Sequence, residues 1–379
     1  MQWGVYIHIP FCRQKCFYCD FPSWAGREKY MEAYIGALCR EIRQQGSLYV
    51  RQWGWPSTIY IGGGTPSVLP EELLEQMLQQ ARDIFGHVAE FTMECNPGTV
   101  DAAKLALLHR YGVNRLSFGV QSFDDRLLKC VGRIHTAAQA VEAIALARAA
   151  GFTNVSLDLM YGLPGQNLAD LQASVAQALA LQPEHISIYG LQLEEGTAFA
   201  KMQELGKLHL PGDELTEQMY DYMTQELPAH GYARYEISNF ARPGYESRHN
   251  LSYWQDVPYL GLGAAAHSYL EHQRWQNTAD IAAYIAQVEA GASPRTMEEP
   301  ATREIAMEEF AFLALRTATG ISRARFQQRF GVCLDSIYGA VIGELVRQGA
   351  LVSEGDCVHL TARGAKYGNL VFEKFLLTN

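Results

Sequence analysis

Through about the first 195 residues, short runs of β-branched and aromatic residues alternate with longer amphipathic stretches, and this alternation restricts the fold more than any other feature. The strand candidates are Val5–Ile9, Thr58–Ile61, Glu90–Glu94, Arg115–Gly119, Val155–Leu159 and His185–Tyr189, with a further candidate at Arg234–Ile237. Helical patterns occupy Glu71–Phe85, Ala102–Tyr111, Ala137–Ala150 and Leu168–Leu181. Gly112, Gly151 and Gly231 each follow a helical pattern and precede a strand, the place of a left-handed helix cap. Six βα units are too few for an eight-stranded closed barrel, so the expected fold is α/β, a partial (β/α)6 barrel.

Unusual residues collect directly after the strands: Pro10-Phe11-Cys12, Gly62-Gly63-Gly64-Thr65-Pro66, Cys95-Asn96-Pro97-Gly98, Gln121-Ser122-Phe123 and Tyr161-Gly162-Leu163-Pro164-Gly165. In parallel βα folds the carboxyl ends of the strands carry the active face, because loops vary there on a rigid scaffold. Past residue 240 the texture changes. Arg242 to Ala266 is rich in Pro and Gly and reads as loop, Ile281–Glu289 as helix, and Ser293-Pro294 as linker. The last eighty or so residues read as helices Glu304–Thr317, Ser322–Phe330 and Leu334–Gln348, a two-stranded ribbon turning at Glu354-Gly355-Asp356, and a final helix from Thr361. The expected division is a core domain over 1–240, a connecting segment over 241–295, and a smaller α+β, winged-helix-like domain over 296–379.

Composition narrows the function classes. Of 379 residues, 48% are hydrophobic and 19% charged, which excludes a disordered chain. The formal net charge of −10 repels a phosphate backbone, and Leu334–Gln348 offers only Arg347 against Asp335 and Glu344, so nucleic acid is not the expected partner and a transcriptional role is the weakest reading. The first strand candidate starts too early for a secretory leader, and no apolar run reaches the roughly eighteen residues of a transmembrane helix, so a cytoplasmic protein is expected, with at most peripheral membrane association. In that reducing compartment eight cysteines are not a disulfide framework. Cys12, Cys16 and Cys19 crowd together, whereas Cys39, Cys95, Cys130, Cys333 and Cys357 are scattered and read as small buried hydrophobes.

Cys12 to Cys19 has the spacing C-x3-C-x2-C, in a loop just after the first strand. Three thiolates on one short loop can hold an iron–sulfur cubane with one iron left free of protein. A zinc knuckle completed by His8 or Cys39 is the alternative, though neither has the pairwise spacing of such sites. Gly62 to Pro66 lacks the Lys and Ser/Thr of a nucleotide-phosphate loop; it lets backbone approach a ligand closely, or it is a simple tight turn. Glu94, Gln121, Arg133 and Asp158 fall at or beyond successive strand ends, a set able to bind a diol, an amino group and a carboxylate; singly, any of them could be a structural ion pair or cap.

Taken together, these motifs resemble the radical S-adenosylmethionine superfamily. Over nearly its whole length the chain is similar to one family within it, the oxygen-independent coproporphyrinogen III oxidases and their heme-chaperone branch. The resemblance rests on Tyr6 to Cys12, Gly62 to Pro66, Glu94 to Gly98, Gly119 to Phe123, Gly132-Arg133-Ile134-His135 and Asp158 to Pro164. It implies a 4Fe–4S cluster on Cys12, Cys16 and Cys19, S-adenosylmethionine chelating the open iron, and Tyr6, Tyr18, Gly63, Gly64, Thr65, Glu94, Gln121, Arg133 and Asp158 around that ligand. It also implies an electron donor for the cluster.

Oxidases carry another cysteine two positions after the third cluster cysteine, where this chain has Phe21, and a longer N-terminal segment. His249-Asn250-Leu251-Ser252-Tyr253-Trp254 looks like the mark of the chaperone branch, with His249, Tyr253 and Trp254 as heme contacts or, alternatively, as a hydrogen-bonded histidine with packed aromatics. The resemblance therefore implies heme binding and delivery to an acceptor heme protein, a respiratory one, without coproporphyrinogen oxidase activity. Oxidative decarboxylation of coproporphyrinogen III is the competing reading.

Overall fold

The computed structural model describes residues 2–377; Met1, Thr378 and Asn379, at the outer ends of the expected domains, lie outside the described residues. Six parallel strands stand side by side in chain order: β1 (Gly4–Ile9), β2 (Thr58–Gly63), β3 (Glu90–Cys95), β4 (Arg115–Gln121), β5 (Val155–Tyr161) and β6 (His185–Gly190). Helices Glu71–Phe85, Ala102–Arg110, Ala137–Ala149 and Leu168–Ala180 connect β2 through β6. Gly112, Gly151 and Gly231 have φ of 89°, 96° and 84°, the left-handed geometry expected where a helix hands over to a strand.

Each barrel strand presents two chemically distinct faces. On β4, Leu116, Phe118 and Val120 enter the main apolar core, while Arg115, Ser117, Gly119 and Gln121 line an interior cavity. Strands covered on both faces by apolar packing read as continuous hydrophobic runs. Here the inner face is polar because the barrel encloses a site instead of a filled core.

Among the described residues the sheet extends beyond the barrel on both sides, to twelve strands. After β6 the chain adds β7 (Ala233–Arg234) and β8 (Asn239–Ala241): β8 lies antiparallel to β6, with Ile186 opposite Phe240, and β7 lies antiparallel to β8 at the edge. The continuous strand expected at Arg234–Ile237 is therefore interrupted. The buried Glu236 carboxylate accepts from the Ser238 amide at 2.9 Å, a local turn that withdraws this backbone from the ladder.

The stretch expected to be loop, Arg242 to Ala266, instead contains the helix Arg248–Trp254 and the strand β9 (Tyr259–Leu262). β9 lies parallel to β1, with Val5 opposite Leu260, and β10 (His267–Leu270), β11 (Gln273–Asn277) and β12 (Arg295–Met297) follow antiparallel. Glycine misleads the local reading there: a Cβ on Gly261 would stand 1.9 Å from the His267 carbonyl oxygen, so the residue marks a close approach of strands and not a turn. The buried Glu41 secures this extension by accepting from Gly263 N (2.8 Å), Asn277 Nδ2 (2.7 Å) and Tyr284 OH (2.7 Å).

A separate core built on Phe310, Phe326, Tyr338 and Ile342 organises the C-terminal part. Helices Arg303–Leu315, Arg323–Phe330 and Leu334–Arg347 pack with the three-stranded sheet β13 (Ile321–Ser322), β14 (Leu351–Glu354) and β15 (Cys357–Leu360). It docks on the barrel through Lys366 with Asp221 (2.8 Å) and Arg325 Nη2 donating to Gln255 O (2.7 Å). Of the scattered cysteines, Cys39 and Cys95 are buried and Cys130 and Cys357 partly so, but Cys333 is exposed. It occupies the N-cap of Leu334–Arg347, where the chain turns at the surface. Among the described residues no helix is long and apolar enough to cross a membrane.

Candidate cofactor site

A cavity of about 430 Å³ opens at the carboxyl ends of the barrel strands. The loop bearing Cys12, Cys16 and Cys19 forms one wall. Several backbone bonds pin that loop: Cys12 N donates to Trp24 O (3.1 Å), Phe17 N to Val131 O (3.1 Å), and Phe199 N to Phe17 O (2.9 Å). His8 fixes its far end, since Nε2 donates to Pro22 O at 2.8 Å while Nδ1 accepts from Tyr6 OH at 2.9 Å. Neither His8 nor Cys39 lines the cavity. Among the described residues no three Cys, His, Asp or Glu side chains close around a single ion; a cubane needs no such point, because each thiolate binds a different iron.

The glycine loop brings backbone against this wall. Thr65 Oγ1 donates to Cys12 Sγ at 3.6 Å, and a Cβ on Gly64 would meet Phe11 O at 2.7 Å and Cys12 Sγ at 3.0 Å. Gly63 has φ of 112° and would press a Cβ into the His8 ring. Both positions are closed to larger residues by contact with the cysteine wall and its anchor.

Opposite stands a polar rim. Glu94 accepts from Tyr60 OH at 2.7 Å and from Gly63 N at 3.1 Å. Burial, with the Asp158 charge adding to it, pushes the Glu94 carboxyl up to about 7 against those bonds. Asp158, also raised by burial, accepts from Ser117 Oγ at 3.2 and 3.3 Å. Arg133 donates to Cys16 Sγ at 3.5 Å and to the Gly119 carbonyl. Gln121 sits at φ 67° where β4 slips register against β5, a strained backbone for a residue with a Cβ. Strain of that kind concentrates at ligand sites, and here it turns the carboxamide toward the rim beside Arg133.

The cavity gathers Cys12, Cys16, Cys19, Tyr18, Gly63, Gly64, Thr65, Glu94, Gln121, Arg133 and Asp158. Tyr6 is not on its surface; its ring stacks behind Tyr60 with centroids 6.3 Å apart. Sequence reasoning missed Tyr60, Arg115, Ser117 and Ser187, all of which line the cavity. For Tyr60, Ser117 and Ser187 the signal was available, since each lies two or four residues before a residue at or beyond a strand end and so shares its face, whereas Arg115 opens its strand six residues before Gln121.

His249 lies elsewhere, at the amino ends of the strands. The imidazole is fully buried, with Nδ1 bonded to Thr58 Oγ1 and Nε2 to Tyr253 OH, both at 2.8 Å, and it stacks on Tyr60 at 5.1 Å. Glu90 caps its helix by accepting from Arg248 N and His249 N, each at 2.9 Å. Trp254 packs under Arg316, 4.6 Å from the ring centre. The helix therefore plugs the lower end of the barrel, and of the motif only Asn250 borders the cavity.

Comparison with known proteins defines the class first. The Radical SAM superfamily profile matches residues 6–178, and the HemN C-terminal domain profile matches residues 301–366. The solved structure of coproporphyrinogen III oxidase (HemN) from Escherichia coli superposes with a TM-score of 0.86 at 23% identity, over 100% of this chain and 91% of that one, a shared fold. The heme chaperone HemW of Bacillus subtilis is 40% identical over 98% of this chain and 99% of its own length, and that of Escherichia coli 35% over 98% of each. The chain belongs to the HemW family of the radical SAM superfamily.

Superfamily membership implies a 4Fe–4S cluster and S-adenosylmethionine. The residues present fit both groups: soft thiols on one wall, glycine backbone that a Cβ would fill, and buried acceptors on the facing rim.

Proposed function

We propose that this protein is a cytoplasmic heme chaperone, which binds heme and passes it to an acceptor heme protein, a respiratory one. The reading is carried by the full-length similarity to proteins named heme chaperone HemW. In the same reading Cys12, Cys16 and Cys19 hold the 4Fe–4S cluster, and an external donor supplies its electrons. Tyr18, Gly63, Gly64, Thr65, Glu94, Gln121, Arg133 and Asp158 hold S-adenosylmethionine, with Tyr6 supporting from behind the wall. When bound, the pair can supply radical chemistry; this chain's own residues orient the ligand and shield it from water.

His249, Tyr253 and Trp254 enter this reading as a segment. Both imidazole nitrogens are engaged, so the segment acts on heme binding through the barrel end that it shapes, with Asn250 as its point of contact with the cavity. Phe21, 57% exposed where the oxidases carry a cysteine, offers an apolar surface beside the cluster loop.

Anaerobically reconstituted protein should bind heme saturably in an absorbance titration and leave coproporphyrinogen III unchanged in a parallel assay. Cluster-dependent formation of protoporphyrinogen without saturable heme binding would replace this reading with the oxidase one.

A proton signature should accompany cofactor binding. Glu94's folded-state value, about 7, lies above its ordinary 4.5, so the fold holds this proton more tightly than the unfolded chain does. Its contribution to stability is largest below about pH 4.5 and falls as pH rises toward 7. A ligand that needs the carboxylate should therefore release protons at about pH 6 and far fewer at about pH 8. Calorimetry of S-adenosylmethionine binding in buffers of different ionisation enthalpy checks this, and Glu94→Gln should abolish the difference.

A further inference from the structure

Arg115 opens β4 with 1% of its surface exposed, yet Nε is an orphaned donor, and among the described residues no carboxylate oxygen lies within 4.0 Å of the guanidinium. A guanidinium does not give up its proton, and an unpaired buried charge is costly, so its charge must be answered at longer range. The cavity shows where. Arg115 lines it together with Glu94 and Asp158. In the ladder Glu94 stands opposite Ser117 and Asp158 opposite Gly119, one and two inward positions above Arg115, so the cation sits beneath both acids. Of the other cations on the cavity wall, Arg133 is occupied by Cys16 Sγ and the Gly119 carbonyl, and Arg13 and Lys15 are exposed and donate to the Gly98 and Phe21 carbonyls.

We propose that Arg115 is a positioning residue, a buried countercharge that favours the ionised forms of Glu94 and Asp158 so that the rim can grip the hydroxyl and amino donors of a cationic ligand. The proposal deepens the reading of this cavity as the S-adenosylmethionine site and rests on it for the ligand's identity. Burial pushes both carboxyls up, hydrogen bonds pull them back down, and the positive charge of Arg115 acts on each of them in the same downward direction. Tyr60 OH and the Gly63 amide favour the Glu94 carboxylate through hydrogen bonds, Tyr6 and Tyr253 are tyrosines held neutral by burial, and Arg115 adds the positive charge that these neutral groups lack. Around Asp158 the Ser187 and Ser117 hydroxyls favour the carboxylate by hydrogen bonding, Tyr189 is likewise neutral, and Arg133 adds a weaker positive influence than Arg115. His185 and His249, the titratable neighbours of Arg115 itself, are buried neutral and compete for no anion.

The test begins with ligand-free protein. Infrared difference spectra at about pH 8 should show a protonated carboxyl band in Arg115→Met that is missing from wild type and from Arg115→Lys, and that Glu94→Gln or Asp158→Asn in the same background removes. No such band in Arg115→Met would overturn the proposal. In the cluster-loaded protein, Arg115→Met should weaken S-adenosylmethionine binding roughly tenfold or more at neutral pH, recover toward alkaline pH, and be rescued by Arg115→Lys. If S-adenosylmethionine leaves the wild-type cluster spectrum unchanged, the cofactor reading fails, while the infrared result still decides the role of Arg115. Should Arg115→Met fold poorly, Glu94→Gln added to it should restore thermal stability; strictly additive losses would overturn the proposal as well.

Discussion

Serine at Cys12, Cys16 or Cys19 should abolish the brown chromophore of anaerobically reconstituted protein, whichever of the three is replaced. A hydroxyl is a hard, weakly acidic donor and replaces a soft thiolate poorly on iron. Nothing else on the described cavity wall can substitute: His8 is committed to Tyr6 and Pro22, and Cys39 and Cys130 lie off the cavity. Cys95 also borders the cavity, but burial pushes its thiol up to about 12, which disfavours the thiolate a metal needs. Cys39→Ser and Cys95→Ser should therefore retain the visible absorbance and the iron and sulfide content. Loss of the chromophore in Cys39→Ser together with its retention in Cys19→Ser would overturn the ligand assignment. Because backbone bonds and His8 hold the loop, near-ultraviolet circular dichroism of the three serine variants should stay close to that of the wild-type apoprotein.

His249→Ala should be severely destabilising, by about 3–5 kcal/mol, because it leaves a cavity and deprives the buried Thr58 and Tyr253 hydroxyls of their partner. A fall in melting temperature of roughly 5–10 °C is expected. Acid should act in the same direction. Burial pushes His249 down to about 3 from an ordinary 6.5, so the unfolded chain takes up the proton first, and the stability that this group confers is lost as pH falls below about 6.5. His249→Gln keeps some hydrogen bonding and should cost less. Asn250→Ala leaves the plug intact and should alter ligand binding with little change in melting temperature. Heme titrations of the three variants, read beside their melting curves, separate loss of a heme contact from loss of the fold. A His249→Ala protein as stable as wild type yet unable to bind heme would assign the imidazole to the ligand after all.

The barrel strands along the chain, their helix caps and the spacing of the cysteine and glycine loops were legible in the sequence because each depends on neighbours a few residues apart. Gly112 needs a left-handed φ of 89° in any context where a helix must turn into a strand there, and C-x3-C-x2-C places three thiols on one loop whatever surrounds it. Three features depended on the tertiary structure. β9 joins the sheet beside β1 although its residues look like loop, since its stability comes from strand pairing and from Glu41, more than two hundred residues away. His249 is enclosed instead of offered, because the helix that carries it is capped by Glu90 and braced on Thr58, contacts that no local pattern encodes. Arg115 reads as an ordinary strand residue until the curl of the sheet turns its face inward, where burial without a partner gives one charge influence over two carboxylates. Local propensity and spacing decide which segments form and where chemistry-bearing residues fall along them, whereas burial and charge depend on distant segments meeting, and only the assembled partial barrel determines those.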